Sequence, residues 1–131
     1  MKSLGRHFIV EYHDCDSNVL NNPKILETHL LEAVRLSGAT AIQPFFHKFS
    51  PHGVTGIVII AESHFAVHTW PEYGYCALDI FTCGDDIKSE PAVDYLRDKL
   101  RAGHFSVVEI KRGLLDLPPS EIRHKPEIKP A

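Results

Sequence analysis

The chain has only three cysteines in 131 residues, Cys15, Cys76 and Cys83, and no C-x-x-C spacing. An odd, scattered set argues against a disulfide framework and a cysteine-rich zinc site, and leaves free thiols. No run of about 18 apolar residues occurs, which excludes a membrane-spanning helix. The first seven residues lack the apolar core of a signal peptide, so the expected compartment is the cytoplasm. A basic surplus is missing too: the formal net charge is −3, which offers no footprint for nucleic acid. There is no glycine-rich fingerprint for a dinucleotide or a phosphate loop, no G-x-S-x-G elbow, no internal repeat and no low-complexity tract. What is present is an ordinary globular composition, 44% hydrophobic and 24% charged. The length suits one domain, residues 1–131, with a modest core.

Hydrophobic spacing supplies the elements. Residues 6–13 alternate as a strand, with His7, Ile9 and Glu11 on one face and Phe8, Val10 and Tyr12 on the other. Residues 14–21 read as a loop. Asn22 followed by Pro23 is a helix start, Leu26, Leu30, Ala33 and Val34 form its apolar stripe, and Gly38 is its stop. Residues 39–49 read as a strand bent near Pro44. Residues 54–61, with Val58, Ile59 and Ile60, are the strongest β-type run. A hairpin then folds residues 64–68 onto residues 75–82 through Pro71-Glu72-Tyr73-Gly74. Ser89-Glu90-Pro91 opens a second helix with Ala92, Val93, Leu96 and Leu100 buried and Gly103 as its stop. Residues 104–111 form a last strand, and an irregular, proline-rich tail follows from Gly113. The order β-α-β-β-β-β-α-β implies an α+β fold: a two-layer α/β sandwich, mainly antiparallel, with two helices on one sheet face. The other face then needs a cover, which a second copy can supply.

The chemistry-bearing residues crowd between Ala61 and Gly84. The hairpin is expected to bring Cys83 towards Ser63 and His68, gathering a thiol, a hydroxyl and an imidazole at one sheet end. Three readings of Ser63 stand side by side. It is a turn serine satisfying local backbone groups. It is a Ser-His hydrolase nucleophile, a reading the missing elbow disfavours. Or its hydroxyl attacks the Glu62 carbonyl in an N-to-O acyl shift. In that case β-elimination follows and leaves a pyruvoyl end, chemistry that needs strain, oxyanion donors and a base. His64 and His68, four apart on a strand, make a weak metal pair without a third ligand, and no metal is expected. Cys15 and Cys76 fit the role of small buried apolar residues better than Cys83 does.

Several segments together resemble the short prokaryotic S-adenosylmethionine decarboxylase proenzymes. They are Phe49, Gly53, Gly56, Glu62-Ser63-His64, His68-Thr69-Trp70-Pro71-Glu72-Tyr73-Gly74-Tyr75, Phe81-Thr82-Cys83-Gly84 and the opening Lys2-Ser3-Leu4-Gly5-Arg6-His7. The resemblance covers about the first 110 residues. It implies self-cleavage at Glu62–Ser63 into a β chain of residues 1–62 and an α chain of residues 63–131. Ser63 would become a pyruvoyl group that forms a Schiff base with the substrate amine. His68 would serve processing, supported by Thr55, which stands where the family often has a serine. Cys83 would protonate the substrate carbon after CO2 leaves, Phe49 would stack on adenine, and Glu72 would hold the ribose. The implied product is S-adenosyl 3-(methylsulfanyl)propylamine for spermidine synthesis, made by a homodimer of α/β pairs. The alternatives are a pyruvoyl-dependent arginine or ornithine decarboxylase, and an uncleaved, non-catalytic ligand-binding module.

Overall fold

The structure is a computed structural model that describes residues 3–122. Six strands form one sheet: β1 (Ser3–His13), β2 (Ala41–Lys48), β3 (Val54–Ile60), β4 (Ser63–Trp70), β5 (Tyr75–Cys83) and β6 (His104–Leu114). Their spatial order is β2-β3-β4-β5-β1-β6, every pair antiparallel. Helices α2 (Pro23–Leu36) and α3 (Ser89–Leu100) cover one face, as the two amphipathic stripes demand. The expected two-layer sandwich is therefore the observed architecture.

Period-2 alternation decides which side chains meet the helices. Phe8, Val10 and Tyr12 of β1, Phe65 and Val67 of β4, and Cys76, Leu78 and Ile80 of β5 are buried against Leu30, Val34, Val93, Leu96 and Leu100. The Tyr12 hydroxyl donates to the Val93 carbonyl at 2.7 Å, so its polar tip is satisfied. The opposite parity faces outward. Ile59 and Phe45 on the β2–β3 side and Val108 and Ile110 on the β6 side stay exposed there, around a centre of His7, His64 and Phe81. No element of the described chain covers this face.

Several boundaries differ from the expectation. The stretch expected to be loop at residues 14–21 contains a one-turn helix, α1 (Ser17–Leu20). The Asp16 side chain caps it by accepting from the Asn18 and Val19 amides at 2.9 and 3.2 Å. Helix α3 has Lys88 at its N-cap with no capping side chain. It ends on Arg101, in the left-handed region at φ 56°, rather than on Gly103. Strand β6 runs on to Leu114, so the irregular tail starts later. It makes a 3-10 turn at Pro119–Glu121 and tucks Ile122 into the protein, while the rest of the tail lies outside the described residues. Strand β2 is irregular between Ala41 and Gln43, close to the bend expected at Pro44, and its place at the sheet edge tolerates the proline.

A left-handed conformation costs a non-glycine residue about 1–2 kcal/mol, which glycine avoids at some cost in chain entropy. Arg101→Gly is expected to raise unfolding stability by about 1 kcal/mol, read as a higher urea midpoint with an unchanged slope.

Candidate active site

Strands β3 and β4 are joined through Ala61 and Glu62 alone, because Ile60 pairs directly with Ser63. Two-residue hairpin turns favour residues with positive φ, which matches the turn to the strands' twist. Neither Ala61 nor Glu62 has one. The mismatch falls on Ser63, whose φ is 149°, a region that L residues rarely adopt. Such a residue stores about 1–3 kcal/mol. The link between Glu62 and Ser63 is therefore held under strain.

Its carbonyl is also held. The Cys83 amide donates to the Glu62 carbonyl oxygen at 2.9 Å. On the other side, the Glu62 carboxylate accepts from the Thr40 amide at 3.1 Å, and the Ala61 amide donates to the Thr40 carbonyl at 2.9 Å. The acyl half of the link is fixed on three sides while the serine half is twisted. A backbone N–H aimed at a carbonyl oxygen is what stabilises an oxyanion when a nucleophile adds to that carbon. The Cys83 thiol, half-buried, sits on the residue that supplies this N–H. Burial holds the other two thiols in their protonated form: Cys15 is pushed up to about 11, and Cys76 is raised further still.

A second cluster lies at the other end of the same strands. Phe49, His52, Gly53, Thr55, His68, Thr69, Trp70 and Glu72 line a groove of about 310 Å³. The Thr55 hydroxyl and His68 Nδ1 are 3.1 Å apart, placed by the Thr55–His68 cross-strand pair. His52 Nε2 lies 2.8 Å from Glu72 Oε2, so one carboxylate oxygen is engaged. The Phe49 and Trp70 side chains remain about half exposed. The loop is fixed by Phe49 N–H donating to the Gly53 carbonyl (2.8 Å) and by Gly53 N–H donating to Asn21 Oδ1 (3.0 Å). Thr69 Oγ1 accepts from the Val54 amide at 2.9 Å and donates to the Leu20 carbonyl at 2.8 Å.

The expectation that Ser63, Cys83 and His68 gather at one sheet end needs correction. Cys83 is beside the Glu62–Ser63 link, but His68 pairs with Ala77 and Thr55, five residues along β4 from Ser63. At about 3.3 Å per residue that is roughly 16 Å. The reason is the hairpin itself: its apex, a 3-10 turn at Pro71–Tyr73 closed by Gly74 at φ 61°, lies at the His68 end, and Cys83 is at the open end. Thr55, His68, Phe49 and Glu72 thus lie together at one end of these strands, and Glu62, Ser63 and Cys83 at the other. Neither His52 nor Thr82 is given a role by the sequence. Nothing in the loop's residue types marks His52. Thr82, by contrast, falls in the buried parity of β5, after Cys76, Leu78 and Ile80, where a hydroxyl is out of place. Among the described residues, no group of three His, Cys, Asp or Glu side chains is placed to hold a metal ion, and no helix is long and apolar enough to cross a membrane.

Sheet, helices and the pinched turn define a two-layer α+β sandwich of a type already seen in solved structures. The crystal structure of the adenosylmethionine decarboxylase from Aquifex aeolicus superposes with a TM-score of 0.81 at 31% identity, over 95% of this chain and 100% of that one. The model of the S-adenosylmethionine decarboxylase family matches residues 6–113. A relative from Acidithiobacillus ferrooxidans, named S-adenosylmethionine decarboxylase proenzyme, is 46% identical over 98% of both chains. One of the same name from Thermotoga maritima is 48% identical over 88% of this chain and 89% of its own. The chain belongs to the S-adenosylmethionine decarboxylase family.

Strain at Ser63 is testable apart from any chemistry, since neither alanine nor glycine there has a nucleophile. Ser63→Gly should be more stable than Ser63→Ala by about 1 kcal/mol, the relief of the φ of 149° outweighing the chain entropy of glycine. Urea unfolding of the two uncut chains checks this.

Proposed function

We propose that the chain cleaves itself at Glu62–Ser63 and then decarboxylates S-adenosylmethionine. The observation that carries this is the turn: a serine at φ 149° follows a carbonyl already held by the Cys83 N–H, in a member of this family. Ser63 Oγ attacks the Glu62 carbonyl carbon, the C–N bond breaks, and the serine proton passes to the freed nitrogen, so amide becomes ester. Removal of the Ser63 α-proton then forms Cα=Cβ and expels the Glu62 carboxylate. Hydrolysis of the enamine releases ammonia and leaves a ketone. No external oxidant or metal enters. The pinched turn fits the birth of a pyruvoyl group in place. That group offers a carbonyl with which a substrate amine condenses and a path for the electron pair released with CO2. Cys83, the residue whose N–H holds the Glu62 carbonyl, then returns a proton to the substrate carbon.

The base for the α-proton lies roughly 16 Å away within one chain, so a second copy supplies it. The uncovered sheet face is where two copies meet. A two-fold axis running between the stacked sheets and across the strands reverses β4, which lays the partner's His68 and the partner's Thr55 over this chain's Ser63. Each site of the homodimer then takes its pyruvoyl and Cys83 from one copy and its groove from the other. In that groove Phe49 stacks on adenine, Glu72 accepts from the ribose hydroxyls, and aromatic faces attract the sulfonium by roughly 0.5–2 kcal/mol. The product feeds spermidine synthesis in the cytoplasm.

CO2 release from labelled S-adenosylmethionine is the expected activity; release from arginine or ornithine instead would overturn the substrate. Cys83→Ala should still cleave yet lose about a hundred-fold or more in kcat. Co-expression tests the shared site. Ser63→Ala and His68→Ala are each expected to stay whole alone. Produced together with tags of different mass, the His68→Ala copies should be cut and the Ser63→Ala copies not. Uncut His68→Ala chains in verified mixed dimers would contradict the exchange.

A further inference from the structure

Thr82 is fully buried, and its hydroxyl has no hydrogen-bond partner among the described residues. An orphaned buried hydroxyl costs about 1–3 kcal/mol, and valine would fill the same space without that cost. Its position is specific. Thr82 is the cross-strand partner of Ser63, and the bond from Cys83 N–H to the Glu62 carbonyl flanks the pair. That pattern marks a non-hydrogen-bonded pair, the closely spaced kind in which opposed side chains lie nearest each other. The layer around it is apolar, with Ile60, Phe65 and Ile80 buried beside it. A donor in such surroundings acts strongly on any charge that develops there.

We propose that the Thr82 hydroxyl is a catalytic donor for self-cleavage, unpaired in the resting chain and paired to Ser63 Oγ during the reaction. The inference rests on the self-processing proposed above. As Ser63 Oγ loses its proton to the departing nitrogen and bonds to the Glu62 carbon, its negative charge is met by the Thr82 O–H. The same oxygen leaves Cβ with the bonding pair in the elimination, becoming part of the Glu62 carboxylate, and Thr82 donates to it again. Cys83 N–H serves the carbonyl oxygen; Thr82 serves the attacking and leaving oxygen. The resting chain carries an unmet donor that only the reacting geometry satisfies, which is differential stabilisation of the transition state.

The test is a time course of cleavage in cell-free synthesis, followed by denaturing gel and intact mass, for wild type, Thr82→Val and Thr82→Ser. Thr82→Val should cleave at least about ten-fold more slowly, while Thr82→Ser stays within a few-fold of wild type. In the uncut Ser63→Ala background, adding Thr82→Val should leave the thermal midpoint unchanged or higher, since the lost hydroxyl was unpaired. Cleavage of Thr82→Val at the wild-type pace would overturn the role. So would slow cleavage by both variants joined to a clear fall in the midpoint, which marks a packing defect. A wild-type chain that stays whole has a different signature and removes the self-processing proposal along with this one.

Discussion

A single hydrogen bond organises the Glu62–Ser63 end of the sheet: the Cys83 amide on the Glu62 carbonyl, at 2.9 Å. It closes the ladder between β4 and β5 at the end where the β3–β4 turn is tightest, so the acyl side of the Glu62–Ser63 link cannot relax. The turn is too short and carries the wrong residues to absorb the twist of its strands, and Ser63 takes up the difference. The six-stranded sheet and the helices clamped on its other face keep that geometry rigid. Burial of the β1, β4 and β5 side chains against α2 and α3 therefore holds this turn in place as well as stabilising the fold.

The second constraint is length. An extended strand separates Ser63 from His68 by more than any side chain can span, and the pairing of β4 runs without a register shift between them. In the proposed homodimer, the two clusters at opposite ends of the strand would complement each other under a two-fold rotation that reverses it. The same rotation would give the exposed apolar positions of the open face something to pack against. The proposed exchange of residues between copies and the burial of that face would be met by one and the same assembly.

Much of this was legible in the residues. Alternation in residues 6–13 and 64–68, together with β-type runs elsewhere, placed the six strands, and the spacing of Leu26, Leu30, Ala33 and Val34, and of Ala92, Val93, Leu96 and Leu100, matched the buried faces of α2 and α3. The one-turn helix α1 was hidden by its shortness, although Asp16 two residues ahead of an amide it caps was a readable sign. Arg101 in a left-handed cap was not legible, because residue type there points to Gly103. The crowding of Ser63, His68 and Cys83 along the chain suggested one cluster, whereas strand arithmetic already separates them: proximity in sequence along a β-strand is distance in space. The strain on Ser63 depends on how a two-residue turn meets the sheet twist, which pairing alone reveals. His52 on Glu72 depends on loop geometry and left no trace in the pattern.

Intact-mass spectrometry of the purified wild-type chain after prolonged incubation tests the central claim most directly. Two fragments are predicted, residues 1–62 and residues 63–131, the second lighter by one ammonia than a serine-started chain. A single species at the full 14.7 kDa, whole after incubation, would contradict it.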